Sequence, residues 1–217
     1  MNDKPEPVHE LAADPVRREI AAAAARLLAD GAPDYAHAKR KAARSTLGTR
    51  DARGRMPDNV EIDQALLEHL ELFDTGHARR VRQRRRIAAQ LMLELERFRP
   101  YLTGGVWKGI VTEYAPIHLQ LFHDDTKDVQ IDLLNRGVRF ETGTMPHFRS
   151  GDDVEAFTFW HAGEPVLLSL YRHDDLRGAL RATPGAGSLP ERGDRGALLE
   201  RMTADADPAA DPATEPV

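Results

Sequence analysis

Residues 101–122 read Tyr101-Leu-Thr-Gly-Gly-Val-Trp-Lys-Gly-Ile-Val-Thr-Glu-Tyr-Ala-Pro-Ile-His-Leu-Gln-Leu-Phe122, and this stretch decides the predicted fold. A short apolar segment runs into Gly104 and Gly105, and a glycine pair is typical of a tight turn. In the last six residues apolar side chains alternate with His118 and Gln120, which is the period of a strand with one buried face. The stretch therefore predicts a strand, a turn, a short helix and a second strand in succession.

Upstream of this stretch the apolar residues recur at helical spacing, which predicts four helices. Their ends carry the usual signals, with Asp or Asn at the start and Gly or Pro beyond the end. The predicted helices are one from Asp14–Pro15 to Gly31, one from Pro33–Asp34 to Leu47–Gly48, one from Asp58 or Asn59 to Phe73, and one that contains an arginine run and ends before Pro100.

Downstream, helical and strand patterns alternate. We predict a helix over Asp125–Gly137, a strand over Val138–Thr142, a loop over Gly143–Asp153, and a hairpin formed by residues 154–161 and 165–171 around Ala162-Gly163.

Together these segments predict an α+β protein with a helical N-terminal region and a small mixed sheet. Residues 1–13 have little to bury and are expected to be disordered. Residues 14–98 form the helical region and residues 99–180 the α+β core. Residues 181–217 are rich in Pro, Ala and Asp and are expected to form a disordered acidic tail, apart from a short helix around Ala197–Met202.

Composition narrows the class of protein. The chain has 217 residues, of which 41% are hydrophobic and 30% charged, and its net charge is −5. No apolar run approaches the ~18 residues that span a bilayer, and the N-terminal residues lack the apolar segment of a secretory signal. The absence of cysteine excludes disulfides, thiol catalysis and thiolate metal sites. We expect a cytoplasmic protein without a membrane partner.

The region 99–171 resembles the nucleotidyltransferase (polymerase-beta-like) superfamily in its minimal form. Members of that superfamily place a Gly-Gly or Gly-Ser turn after a strand, then a short helix and a strand that bears two aspartates one residue apart. A later strand supplies a third carboxylate, and the carboxylates hold the divalent metals of the reaction. Gly104 and Gly105 match the turn, and Lys108 is a nearby cation. The resemblance implies a nucleotidyltransferase-like topology and a nucleotide as ligand.

The chain departs from the family at the residues that perform catalysis. Pro116 and His118 stand where the aspartate pair belongs, and the strand Val166–Tyr171 has no acidic residue. We therefore predict a catalytically degenerate protein that retains a nucleotide-binding, phosphate-binding or regulatory role, with no metal ligands assigned. The candidate binding residues are Gly104, Gly105, Lys108, His118 and Gln120.

Two alternatives involve an enzyme. An active nucleotidyltransferase would need a rearranged site for Mg²⁺, recruiting Glu113, His118 or Asp132. A UDP-N-acetylmuramate–alanine ligase would need an ATP-binding P-loop and a large three-domain chain, and the sequence has neither.

Basic clusters suggest a third class, a nucleic-acid-binding or toxin–antitoxin-like adaptor. Polyanion-binding candidates in the second helix are Lys39, Arg40, Lys41 and Arg44. Six of the eight residues from Arg79 to Arg86 are arginine, and these could bind phosphates or pair with acidic residues of the preceding helix. Those acidic residues are Glu61, Asp63, Glu68 and Glu71. The sequence leaves the oligomeric state open.

Overall fold

The computed structural model describes residues 14–48, 54–179 and 191–205, and its fold class is α+β, as predicted. The described residues form two compact units, which divide between Phe73 and Asp74. The predicted division between residues 98 and 99 therefore lies too late in the chain. The expected disordered segment 1–13 falls outside the described residues.

The first unit contains three helices, α1 (Pro15–Ala29), α2 (Tyr35–Leu47) and α3 (Asn59–Phe73). Each begins at an aspartate whose carboxylate accepts a backbone N–H of the first turn, which satisfies one of the otherwise unpaired donors. Asp14 accepts from Val16 and Asp34 from His37. Before α3, the Asp58 carboxylate accepts from the Glu61 N–H, and the Glu61 carboxylate accepts from the Asp58 N–H, which is a reciprocal capping box.

Side chains from all three helices are buried in this unit. Polar contacts also link these helices: Arg17 of α1 donates to both carboxylate oxygens of Glu61 at 2.7 and 2.8 Å, and the Tyr35 hydroxyl donates to Asp63 at 2.5 Å. The buried apolar side chains are mostly alanine, leucine and isoleucine, namely Ile20, Ala21, Ala24, Ala25, Leu28, Ala38, Ala42, Ala43, Leu47, Ile62, Leu66 and Leu70.

The second unit begins with a long helix and continues through the sheet. Its helices are α4 (His77–Glu94), α5 (Gly104–Lys108), α6 (Thr126–Asn135), α7 (Asp175–Ala179) and α8 (Arg195–Ala204), with a 3₁₀ turn at Glu96–Phe98. Its strands are β1 (Pro100–Thr103), β2 (Ile117–Phe122), β3 (Glu141–Pro146), β4 (Asp153–His161), β5 (Glu164–Tyr171) and β6 (Arg192–Gly193).

The six described strands form one mixed sheet in the order β3-β4-β5-β2-β1-β6. Strands β2 and β5 are parallel and central, and every other neighbouring pair is antiparallel. The predicted hairpin is confirmed, with Ala162 and Gly163 both at positive φ in its two-residue turn. The predicted strand at residues 138–142 is displaced, because β3 starts at Glu141 and runs through the first part of the expected loop.

The sheet has an apolar face and a second, partly polar face. The apolar face packs against α4, α6 and α8, whose buried side chains include Met92, Leu133 and Leu198. This packing explains the position of the unit boundary, since α4 belongs to the core of the sheet. On the second face, Tyr101 and Phe122 are among the aromatic side chains that form a smaller cluster.

The segment expected to be a disordered tail contains ordered elements, so that prediction is wrong for residues 191–205. Strand β6 pairs with β1, and α8 buries Leu198 completely against the core. The suggested short helix around Ala197–Met202 corresponds to the centre of α8. Residues 181–190 and 206–217 fall outside the described residues.

The arginine run of α4 divides into inward and outward side chains. Arg80, Arg84 and Arg85 turn inward and bind partners in the second unit, whereas the remaining arginines are exposed. Arg84 contacts Glu164, and Arg80 pairs with Asp74. These partners are not the acidic residues that the sequence suggested. The exposed arginines are Arg79, Arg82 and Arg86.

Among the described helices, none combines the length and the apolar character required to cross a membrane.

Candidate functional site

The two glycines of the predicted turn have different structural reasons for being glycine. Gly104 has φ +69°, a left-handed conformation that favours glycine, and it follows the last residue of β1. A Cβ on Gly105 would overlap the backbone carbonyl oxygen of Ile110, whereas one on Gly104 would lie 3.8 Å from the Cβ of His118. Gly104 therefore lies beside the side chain of His118, and Gly105 allows α5 and the following loop to pack closely.

Two hydrogen-bonded pairs of polar side chains lie on the second face of the sheet beside this turn. His118 Nε2 lies 2.8 Å from the Ser169 hydroxyl, and Arg192 donates from Nη1 to the Gln120 side-chain oxygen at 2.6 Å. Thr103 lies opposite both His118 and Arg192 in the strand register, so these side chains share one face. Of the sequence candidates, the structure places Gly104, His118 and Gln120 near one another, with Ser169 and Arg192 beside them.

Arg192 is the charged residue of this cluster, and sequence reasoning missed it. Its side chain is only 7% exposed, and its Nε is buried without a hydrogen-bond partner among the described residues. The guanidinium lies 4.6 Å from the centre of the Phe148 ring, and Nη2 lies 3.4 Å from a carboxylate oxygen of Glu191. The site therefore carries a buried positive charge whose only described anionic contact is the carboxylate of Glu191, a side chain with 42% exposure.

The electrostatic environment keeps His118 neutral. Burial, and secondly the nearby charge of Arg192, lower the pKa of His118 from 6.5 to about 4. A neutral imidazole matches its contact with the Ser169 hydroxyl, since one of the two groups donates and the other accepts.

This lowered pKa predicts a loss of stability in mild acid. Below pH 6.5 the unfolded chain protonates His118 while the folded chain does not until about pH 4, so the folded state loses stability as the pH falls through this window. Between pH 7.5 and pH 5 we expect His118 to account for a loss of about 2 kcal/mol in the free energy of unfolding. Urea unfolding at the two pH values, compared between the protein and His118→Gln, measures this contribution. Equal pH dependence in both proteins would contradict the expectation.

The contact between His118 and Ser169 has the spacing of a catalytic base and its nucleophile. Ser169 is completely buried, however, and an attacking hydroxyl must be reachable by the substrate. The pair therefore acts as a structural contact between β2 and β5 rather than as a hydrolytic centre.

The remaining sequence candidates lie apart from one another. Lys108 is exposed at the C-terminal end of α5, at the opposite end of that helix from Gly104. Asp132 on α6 forms ion pairs with Arg97 and Arg136. No group of three or more acidic or histidine side chains within residues 14–48, 54–179 and 191–205 is arranged to hold a metal ion.

The four basic candidates of α2 differ in how far their side chains are exposed. The hydrogen bond from Arg17 is the main cause that lowers the pKa of the Glu61 carboxyl. Lys39 is half-buried, and its positive charge lowers that pKa by a smaller amount. Arg40, Lys41 and Arg44 are exposed.

Comparison of the chain with models of protein families, with curated proteins and with solved structures finds no match.

Proposed function

We propose that the chain is a catalytically inactive, nucleotidyltransferase-like protein that binds the phosphate of a nucleotide beside Gly104. The observation that carries this proposal is Arg192, a buried guanidinium on the strand next to β1, with an Nε that has no described partner. Guanidinium groups bind phosphate oxygens through paired N–H donors, and partial burial strengthens such contacts. Gln120 fixes the guanidinium by accepting a hydrogen bond from Nη1.

Glu191 defines how a phosphate would enter. Its carboxylate, at 3.4 Å from Nη2, is the anion that a phosphate group would replace. The Glu191 carboxylate is therefore an internal competitor of a phosphate for the Nη2 of Arg192, and the strength of binding should depend on both residues.

The distribution of carboxylates favours binding over catalysis. Two-metal nucleotidyl transfer needs carboxylates that converge on the same metal ions. Glu113 lies exposed in the loop before β2 with its carbonyl bound to Arg84, Asp132 is paired elsewhere, and His118 alone is a poor ligand for Mg²⁺. A rearranged catalytic site is therefore the less supported alternative.

A thermal-shift titration tests the proposal. Each nucleoside triphosphate is added with and without Mg²⁺ or Mn²⁺, and a ligand at ~100 times its dissociation constant should stabilise the fold by about 2.7 kcal/mol. We expect a triphosphate to stabilise the protein without metal. This stabilisation should be lost in Arg192→Gln and increased in Glu191→Gln. It should be unchanged in the control Arg86→Gln, which removes one positive charge from an exposed position.

The other outcomes separate the alternatives. Stabilisation that requires a metal ion would favour the active enzyme and call for a search for transferred nucleotide. The absence of stabilisation by every triphosphate would refute the nucleotide site.

A further inference from the structure

A row of exposed basic side chains lies on α2, in the first unit, and contributes no residue to the site beside Gly104. Four exposed basic side chains occur at spacings of three, four and seven residues, which places them along one face of the helix. They are His37, Arg40, Lys41 and Arg44, and we call this set the α2 basic stripe. The opposite face of the helix buries Ala38, Ala42, Ala43 and Leu47.

The stripe has no internal partner within the part of the chain that the structure describes. No side-chain hydrogen bond or ion pair connects Arg40, Lys41 or Arg44 to another described residue. The helix Tyr35–Leu47 contains neither Asp nor Glu, so its own residues do not neutralise the stripe. Like charges three and four residues apart repel one another, and an external polyanion would relieve this repulsion.

From this arrangement we infer that α2 binds the sugar-phosphate backbone of double-stranded nucleic acid. From residue 37 to residue 44 the helix rises by ~10 Å, and one strand of a duplex carries a phosphate about every 3.4 Å along its axis. The stripe therefore spans about three phosphates of one strand. Contacts of this kind do not distinguish base sequence.

The kinds of residue around the stripe favour a nucleic-acid duplex over other polyanionic partners. Single-stranded nucleic acid is usually held by exposed aromatic side chains, and membrane-surface helices insert large apolar residues. The exposed large apolar residues of the first unit are Val60, Leu72 and Phe73, all on α3. The exposed residues of α2 include no Phe, Tyr or Trp and no large apolar side chain, and this suits a duplex backbone.

The overall charge of −5 sets the conditions under which binding should be seen. Long-range attraction to a polyanion is weak for an acidic protein, so the contact must be local and sensitive to salt. A fluorescein-labelled 20-base-pair DNA duplex, titrated with the full chain at 25 to 150 mM KCl and followed by anisotropy, measures the affinity and its salt dependence.

We expect the logarithm of the association constant to fall with the logarithm of the KCl concentration with a slope of about −3, as three phosphate contacts require. The variant Arg40→Gln/Lys41→Gln/Arg44→Gln should bind at least ~10 times more weakly at 50 mM KCl and lose most of that slope. The matched control is Arg79→Gln/Arg82→Gln/Arg86→Gln, which removes three exposed charges from α4 and should leave binding unchanged. Circular dichroism of both variants tests whether they remain folded.

Several results would overturn the inference. These are no binding of the duplex at 25 mM KCl, an equal loss in the α4 control, or tighter binding of a single strand of the same length. Binding to phosphatidylserine–phosphatidylcholine vesicles but not to the duplex would assign the stripe to a membrane surface instead. None of these measurements depends on nucleoside triphosphate binding, so the two sites can fail separately.

Discussion

Replacing Arg84 by alanine is expected to lower the free energy of unfolding by about 3–5 kcal/mol, the loss typical of breaking a buried ion pair from one side. The Arg84 side chain is 4% exposed, and its Nε donates to the Glu164 carboxylate at 2.7 Å. The two terminal nitrogens donate to the backbone carbonyls of Thr112, Glu113 and Ala115 at 2.6 to 2.9 Å. Alanine would leave a largely buried carboxylate and three carbonyl groups without these donors.

Arg82→Ala is the matched control, because Arg82 lies two residues away on the same helix and is exposed. We expect it to change stability by no more than about 0.5 kcal/mol. Urea unfolding of both variants gives the free energies, and an unchanged dependence on urea concentration shows that the folded states are equally compact. A loss below about 1 kcal/mol in Arg84→Ala would contradict the role of Arg84 as an anchor of the loop before β2.

Replacing Gly193 by alanine is expected to destabilise the protein by about 3 kcal/mol, at the upper end of the usual cost of overpacking. An added Cβ would lie 2.8 Å from Cζ2 of Trp107 and closer still to two neighbouring ring atoms. Trp107 is 2% exposed, and the guanidinium of Arg201 stacks 4.0 Å from its ring centre. The ring therefore has little room to move, and β6 must shift away from β1.

Gly196→Ala is the control, because it should not lower the free energy of unfolding. Gly196 lies in the first turn of α8, where a Cβ would come no closer than 3.4 Å to the Asp194 carboxylate, so alanine should be neutral or stabilising by up to about 1 kcal/mol. In a Trp160→Phe background Trp107 is the only tryptophan, and its emission should shift to the red in Gly193→Ala alone.

The double variant Trp107→Leu/Gly193→Ala tests the cause of the destabilisation. Because leucine is smaller than tryptophan, it should lessen the cost of Gly193→Ala relative to the cost in the original protein. Equal costs in the two backgrounds would show that the ring is not the obstacle.

The first three helices were predictable because their signals are local. Asp14, Asp34 and Asp58 each cap a helix with atoms that lie within three residues along the chain. The extent of the helical region was not predictable, because the apolar face of α4 has no local feature that tells whether it packs on another helix or on a sheet.

The partners of the α4 arginines also lie beyond the reach of sequence patterns. Arg84 pairs with Glu164, 80 residues away, and with carbonyl groups, which carry no side-chain signature. The acidic residues of the preceding helix were the nearest candidates in sequence, and Glu61 instead binds Arg17. Long-range pairing of this kind is set by the topology of the sheet.

Of the candidate site, the turn and its neighbouring strand could be read from the sequence, whereas Arg192 could not. Gly104, His118 and Gln120 come from one continuous stretch with a clear period. Arg192 belongs to a two-residue strand that follows a segment rich in glycine and proline, and this composition gives no strand pattern. The one sequence signal that this part of the chain is ordered was the helical spacing of apolar residues in α8, where Leu198 and Met202 lie four residues apart.

The parallel pairing of β2 with β5 has a consequence for the order in which the protein folds. His118 and Ser169 are 51 residues apart, and Gln120 and Arg192 are 72 residues apart. The β4–β5 hairpin can form from its own residues. The pairing of β2 with β5, and of β1 with β6, can form only after the later strand has been synthesised. During synthesis the glycine turn therefore emerges early, and the arginine that gives the site its charge joins it last.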